Sequence, residues 1–401
     1  MTGRLSKKGV RDIDLAGKAV LTRVDYNVPF EPGTQRISDD GRIRASLPTV
    51  RYLMDRGCKI ILCSHLGRPK GRVDEGLRMA PVTGRLSELL EAPVEQADDC
   101  VGEGVRKAVA SLSSGEVIVL ENLRFHPGEE RNDPQFASEL AALAEVYVDD
   151  AFGTAHRAHA STEGVTRFLP AVAGLLLAKE LEMLGRVLES PERPCAAILG
   201  GAKVSDKIAV LENLAGRVDL LIIGGGMAAT FLKAQGLEVG DSPVEDDCVS
   251  FSMELLARAH HGAPNLLIPE DVVVADSFDR EADCRTVDAT SIEPGWRVMD
   301  IGPRTGRRYA DEIGKCKTVV WNGPMGVFEW ERFAEGTVTV GNAVASLTKA
   351  TTVVGGGSTA EAVQKLGLAG KMTHVSTGGG ASLEFMEGKV LPGVAALMDR
   401  D

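Results

Sequence analysis

Residues 196–203, AAILGGAK, set the reading of the whole chain. Four apolar residues in a row, with no polar alternation, suit a strand buried on both faces, the habit of parallel sheets. The glycine pair that follows ends the strand in a tight turn and leads toward a helix. The same grammar returns at 220–226 (LLIIGGG), 352–358 (TVVGGGS) and 373–380 (THVSTGGG). Residues 266–268 and 318–321 read as further strands. The first half repeats the alternation, with strands at 19–24, 59–63, 117–120 and 146–148 and amphipathic helices at 45–56, 81–90 and 134–144. Such alternation predicts two parallel-sheet α/β domains. Residues 174–189, GLLLAKELEMLGRVLE, predict a connecting helix stopped by Pro191 and Pro194. Residues 279–312 are the least regular and read as a small excursion from the second sheet.

Composition narrows the function. The chain has 401 residues, 44% hydrophobic and 25% charged, which excludes low-complexity disorder and collagen-like repeats. Net charge is −12, which argues against nucleic acid or an anionic membrane as partner. The first 171 residues are close to charge balance, so an anionic ligand is better received there. The seven cysteines (58, 63, 100, 195, 248, 284 and 316) form no CxxC pair and no zinc spacing. They read as reduced core residues. The N-terminal MTGRLSKKGVRDIDL lacks an apolar signal core, and no run approaches ~18 apolar residues. A soluble, cytoplasmic protein is expected.

Ligands of open α/β sheets bind beyond the carboxyl ends of the strands. In the second half those ends are glycine-rich four times over. Glycines there let backbone N–H groups approach an anion, and a helix N-terminus adds a partial positive charge. The turns do not match G-x-x-x-x-G-K-[ST], and they match the dinucleotide fingerprint poorly. In the first half the strand ends carry Asp25 and Asn27, His65 and Arg68, Arg124, and His156, Arg157 and His159, with Arg42 just ahead of the first long helix. Convergent guanidinium forks suit phosphate and carboxylate. The His156–His159 pair has no third ligand at metal spacing, so anion binding or packing is the better reading.

Seven separated motifs now carry a resemblance. RVDYNVP at 23–29, HLGRP at 65–69, ENLRF at 121–125, GTAHRAH at 153–159, GGAKVSDK at 200–207, WNGPMGVFE at 321–329 and STGGG at 376–380 resemble those of the phosphoglycerate kinase family, in the family's order. The resemblance implies two Rossmann-like, doubly wound parallel-sheet domains joined by a helix. Residues 1–171 would bind the three-carbon acid, residues 172–385 the nucleotide, and the tail 386–401 would pack back on the first domain. It implies reversible phosphoryl transfer from 1,3-bisphosphoglycerate to ADP, giving 3-phosphoglycerate and ATP with Mg²⁺, after the domains close. Asp25, Asn27, Arg42, His65, Leu66, Gly67, Arg68, Arg124 and Arg157 would hold the acid. Gly201, Ala202, Lys203, Lys207, Gly225, Gly226, Pro324, Val327, Glu329, Gly355, Gly356, Gly357 and Ser358 would hold the nucleotide. Arg42 and Lys203 would be catalytic, cancelling charge on the moving phosphoryl group. No general base is needed for an acceptor that is already ionised. A monomer is expected.

One position departs from the family. Ser358 stands where an aspartate ligating Mg²⁺ is expected, and a neutral hydroxyl is a weaker ligand for a hard cation. Ser358 to Glu361 also fits a capping box, which predicts Ser358 as a helix N-cap. The competing reading is an NAD(P)-dependent oxidoreductase, which sheets of this kind also allow.

Overall fold

The computed structural model describes residues 6–260, 262 and 264–400. The chain forms two compact units: the first runs to Glu182 and is rejoined from Val390, and the second spans Met183–Lys389. The division falls inside the helix Leu175–Glu189, not ahead of it at 171/172. The start of that helix is tied to the first unit: Thr49 Oγ1 accepts from the N–H of Leu175 at 3.0 Å, and Asp150 Oδ1 from that of Leu176 at 2.8 Å.

The first unit is built on strands β1 (Ala19–Arg23), β2 (Lys59–Cys63), β3 (Val94–Gln96), β4 (Val117–Val119), β5 (Val146–Asp149) and β6 (Ala171–Ala173), in the order β3-β4-β2-β1-β5-β6. Every pairing is parallel, with Thr22 opposite Leu62 on one side and Val148 on the other. The central strands are buried on both faces, which is why they read as unbroken apolar runs. β3 (Val-Glu-Gln) carries no such run, and β6 (Ala-Val-Ala) is only three residues between Pro170 and Gly174, so neither registers as a strand in the sequence. Residues 390–400 pack here. The N–H of Met398 donates to the carbonyl of Ala171 at 3.0 Å, and Arg400 pairs with Asp12 at 2.9 Å. Met1–Leu5 and Asp401 of the expected first domain lie outside the described residues.

The second unit repeats the plan with β7 (Cys195–Leu199), β8 (Leu220–Ile223), β9 (Asn265–Leu267), β13 (Thr318–Asn322), β14 (Thr351–Gly355) and β15 (His374–Val375), ordered β15-β14-β13-β7-β8-β9 and all parallel. Between β9 and β13 lies an antiparallel sheet of β10 (Asp271–Ala275), β11 (Cys284–Asp288) and β12 (Arg297–Ile301), ordered β11-β10-β12. This is the expected excursion, shifted toward the N-terminus: β10 begins ahead of residue 279, and residues 303–312 belong to the regular helix Pro303–Ile313. Strand order reverses beside β1 in one sheet and beside β7 in the other, and the crevice at such a reversal is where α/β sheets place ligands.

Candidate active site

The carboxyl edge of the first sheet gathers the predicted residues. Arg42 is the second residue of the helix Gly41–Asp55, not ahead of it, and its Nη1 donates to Asp25 Oδ2 at 2.8 Å. Asn27 Oδ1 accepts from the N–H of Gly67 at 2.8 Å, and the Gly67 carbonyl accepts from Arg124 Nη1 at 2.8 Å. Gly67 has φ +62°, open to glycine at little cost. The loops after β1, β2 and β4 are therefore stitched through one glycine. Asn122 fixes the neighbouring peptide, accepting from the N–H of Leu66 at 3.1 Å and donating to its carbonyl at 2.7 Å. Arg157 Nε donates to His156 Nε2 at 3.2 Å. Arg68 is exposed at the same edge, with no ion pair among the described residues.

Beneath this rim lies a charge that sequence reasoning did not single out. Arg23, at the end of β1, is 1% exposed. Its Nε donates to Ser161 Oγ at 2.9 Å, its Nη1 to the Val24 carbonyl, and its Nη2 meets His65 Nδ1 at 3.1 Å. Ser161 in turn donates to the buried Glu129, Oγ to Oε1 at 2.6 Å and N–H to Oε2 at 3.0 Å. A guanidinium has no acceptor, so His65 Nδ1 must accept and its proton must sit on Nε2. The same ring is pushed well below its ordinary range, first by burial and then by Arg23, Arg124, Arg157 and Arg42. His65 is thus a neutral N–H donor inside a ring of four guanidinium groups. His159, 3.8 Å from Glu129, is lowered to about 4 by burial and then by Arg23, Arg124 and Arg157. Burial also lowers Arg124, and the neighbouring Arg157 and Arg23 add to that. So much positive charge in so little water fits an anion of several charges.

In the second unit the carboxyl edge is made of backbone against backbone. A Cβ on Gly200 would lie 2.1 Å from the Pro324 carbonyl, and one on Gly225 2.5 Å from the Gly201 nitrogen. The N–H groups of Gly200, Gly201, Gly224 and Gly225 donate to the carbonyls of Asn322, Pro324, Leu199 and Met325. This corrects the expectation that every glycine turn offers its N–H groups to an anion: these four are spent on holding the turns together. At 355–357 the chain is different. Gly356, at φ +87°, precedes the helix Gly357–Lys365, whose first turn has no side-chain cap. Ser358 is therefore an exposed first-turn residue and not the N-cap, and Glu361 pairs forward with Lys365 at 2.7 Å. The left-handed φ that starts this helix suits glycine, which moves the cap ahead of the serine. The first-turn N–H groups of this helix have no side-chain acceptor, as an anion site at a helix head requires.

Lys207 donates through Nζ to Asn322 Oδ1 and is lowered to about 8, chiefly by burial. Asn322 Nδ2 is buried without a partner, and a Cβ on Gly356 would lie 3.0 Å from it. Asn322, unremarked in the sequence, thus joins Lys207 to the glycine turn. Ala202 and Lys203 are exposed beyond β7, and Gly226 is half-buried beyond β8. After β13, Val327 donates its N–H to the Met299 carbonyl at 3.0 Å, and Glu329 is exposed. Of the predicted nucleotide residues, Gly201 and Gly225 shape the floor, and Lys203, Lys207 and the head of the helix Gly357–Lys365 supply positive charge.

His65 and the half-buried His159 make a pH prediction. In the unfolded chain both take a proton near pH ~6.5. In the fold both stay neutral to lower pH, so stability is lost as pH falls from about 6.5 toward 4. Nitrogen-15 spectra of the imidazoles should show His65 as the Nε2–H tautomer, unchanged between about pH 8 and 6. A titration centred near the free value would contradict the assignment.

A family model described as phosphoglycerate kinase matches residues 10–389. The phosphoglycerate kinase of Pelotomaculum thermopropionicum is 58% identical over 396 residues, covering 99% of this chain and all of that protein. That of Moorella thermoacetica is 57% identical, with the same coverage. Among solved structures, phosphoglycerate kinase from Coxiella burnetii matches with a TM-score of 0.88 at 39% identity, covering 97% of this chain and 98% of that one. The enzyme from Pyrococcus horikoshii matches at 0.84 and 37%, with the same coverage. These matches give the oxidoreductase reading no support. The resemblance carried by the strand-end motifs extends over nearly the whole chain, which belongs to the phosphoglycerate kinase family.

Proposed function

We propose a division of labour for the reaction this chain catalyses, phosphoryl transfer between 1,3-bisphosphoglycerate and ADP. The three-carbon acid binds at the carboxyl edge of the first sheet, and the nucleotide at that of the second. The observation that carries the first half is the ring of Arg23, Arg42, Arg124 and Arg157 around neutral His65. The carboxylate or phosphate acceptor is already ionised at neutral pH, so the site needs charge cancellation and alignment in place of a base. Arg42 is held by one carboxylate and keeps free guanidinium N–H groups; its side chain is 38% exposed, so it can follow the moving group. Arg23 cannot, because it is buried and each of its three nitrogens is already bonded. Asp25, Asn27, Leu66, Gly67, Arg68, Arg124 and Arg157 hold the acid around it.

On the second unit, Lys203 and Lys207 meet the nucleotide's phosphates, together with the N–H groups at the head of the helix Gly357–Lys365. Pro324, Val327 and Glu329 flank the nucleoside. Transfer follows closure of one unit on the other, since neither carries both ligands. No helix of the described residues is long and apolar enough to cross a membrane. The seven cysteines are unpaired and six of them are buried, which supports a reducing, cytoplasmic setting.

Magnesium ordinarily accompanies adenine nucleotides and would supply charge neutralisation on their phosphates. The donor at position 358 is a single exposed hydroxyl, and Mg²⁺ takes carboxylates and water by preference. Ser358 does not make a magnesium site by itself, so no step is routed through the ion.

Arg42→Ala should lower kcat by ~10²–10³, the scale of losing one preorganised donor to a transition state, with a smaller change in KM for 3-phosphoglycerate. A rise in KM alone would make Arg42 a uniform binder. Ser358→Asp should tighten Mg²⁺-ADP binding measured by calorimetry at matched free Mg²⁺, because it restores a hard, charged oxygen. Equal or weaker binding would mean that position 358 does not limit the metal.

A further inference from the structure

Away from the arginine ring, three side chains of different chemistry meet beside β3 and β4. Asp99 and Cys100 follow β3, and His126 follows the 3-10 turn Leu123–Phe125. One ligand atom from each, a carboxylate oxygen, Sγ and a ring nitrogen, all lie within 4.8 Å of one another, the one such group among the described residues. His126 Nε2 is 2.6 Å from Asp99 Oδ1. The imidazole is stacked on Phe136 with centroids 4.8 Å apart and planes 21° apart, so its aim is set by packing. Asp99 Oδ1 also accepts from the N–H of Cys100 at 2.7 Å. Cys100 is fully buried, and its Sγ donates to the Glu121 carbonyl at 3.0 Å.

We propose that Asp99, Cys100 and His126 form a binding site for one divalent transition-metal ion of the zinc class. A sulfur, an imidazole nitrogen and one oxygen make a borderline-soft set, which suits Zn²⁺ or Co²⁺ and not Mg²⁺ or Ca²⁺. Tetrahedral zinc holds such donors about 3.3–3.8 Å apart, given bonds of ~2.0–2.3 Å. Binding therefore needs the His126–Asp99 contact to open and the sulfur to draw in, and both are side-chain movements. On binding, the Cys100 thiol releases its proton to solvent as the sulfur–metal bond forms. The imidazole carries its remaining proton on Nδ1, leaving Nε2 for the metal. Asp99 is exposed, so water can fill the fourth position. An occupied site ties residues 99–100 to the segment 121–126 that carries Arg124.

The test uses the full-length enzyme, reduced and stripped with chelator, titrated with Co²⁺ without oxygen. The expected result is a sulfur-to-cobalt charge-transfer band that saturates at one equivalent and is displaced by Zn²⁺. Cys100→Ser should abolish the band, and His126→Gln and Asp99→Asn should each weaken Co²⁺ binding by about tenfold or more, the scale on which perturbed metal sites lose affinity. Should Cys100→Ser fail to fold, the other two variants decide. No band in the wild type, or a band whose affinity none of the three substitutions alters, overturns the proposal.

Discussion

A single guanidinium removed from water organises the first unit. Arg23 ends the central strand of its sheet, where apolar packing leaves no solvent to hold a charge. An unpaired buried ion costs several kcal/mol (about 3–5 when a partner is lost), so the surrounding loops must answer it. Ser161 and Glu129 do so from one side and the Val24 carbonyl from another. What remains of the fork is aimed at His65, and that contact fixes which nitrogen of the ring is free. The orientation of a neutral donor at the ligand-facing edge thus follows from the need to satisfy a charge one layer below it.

The second unit solves a different problem. Phosphates carry their own charge and need close, shapeable backbone more than a buried cation. Its edge therefore rests on glycines that let turns approach to distances a Cβ would forbid. Through their N–H groups, Gly200, Gly201 and Gly225 lock the turns after β7 and β8 to the segment after β13. The exposed positive charge is delivered by Lys203, by the half-buried Lys207 braced on Asn322, and by the open first turn of one helix. The proposed division of labour between the units follows from chemistry: side-chain forks suit a small acid of fixed shape, backbone and lysine a polyphosphate.

Much of this was legible in the sequence, for identifiable reasons. Strands such as 59–63 and 220–223 are apolar on both faces and short, and both were read at their observed bounds. The rim residues were legible because they stand directly after strands, where parallel sheets put their ligands. What was not legible depends on tertiary context. Of the edge strands, β3 has a single apolar residue, and β6 is three residues between a proline and a glycine, too short to register. Arg23 looks like the end of a strand until burial is known, and Glu129 and Ser161 look like loop residues until they are seen around it. Ser358 fits a capping box by spacing, yet Gly356 adopts a left-handed φ and starts the helix ahead of it. The glycine turns look alike in sequence, and only their hydrogen bonds separate structural glycines from those that leave N–H groups free.

Glu129 bonds to Ser161, Ser161 to Arg23 and Arg23 to His65, so its charge is coupled to the edge proposed to bind the acid. The most direct measurement is the pair of KM values, for 3-phosphoglycerate and for ATP, in Glu129→Gln, with circular dichroism confirming that the variant is folded. The Arg23–Ser161–His65 relay predicts a KM for 3-phosphoglycerate raised by about tenfold, a loss of ~1.4 kcal/mol, with the KM for ATP unchanged. If both constants stay put, or rise together, the buried arginine does not govern the site.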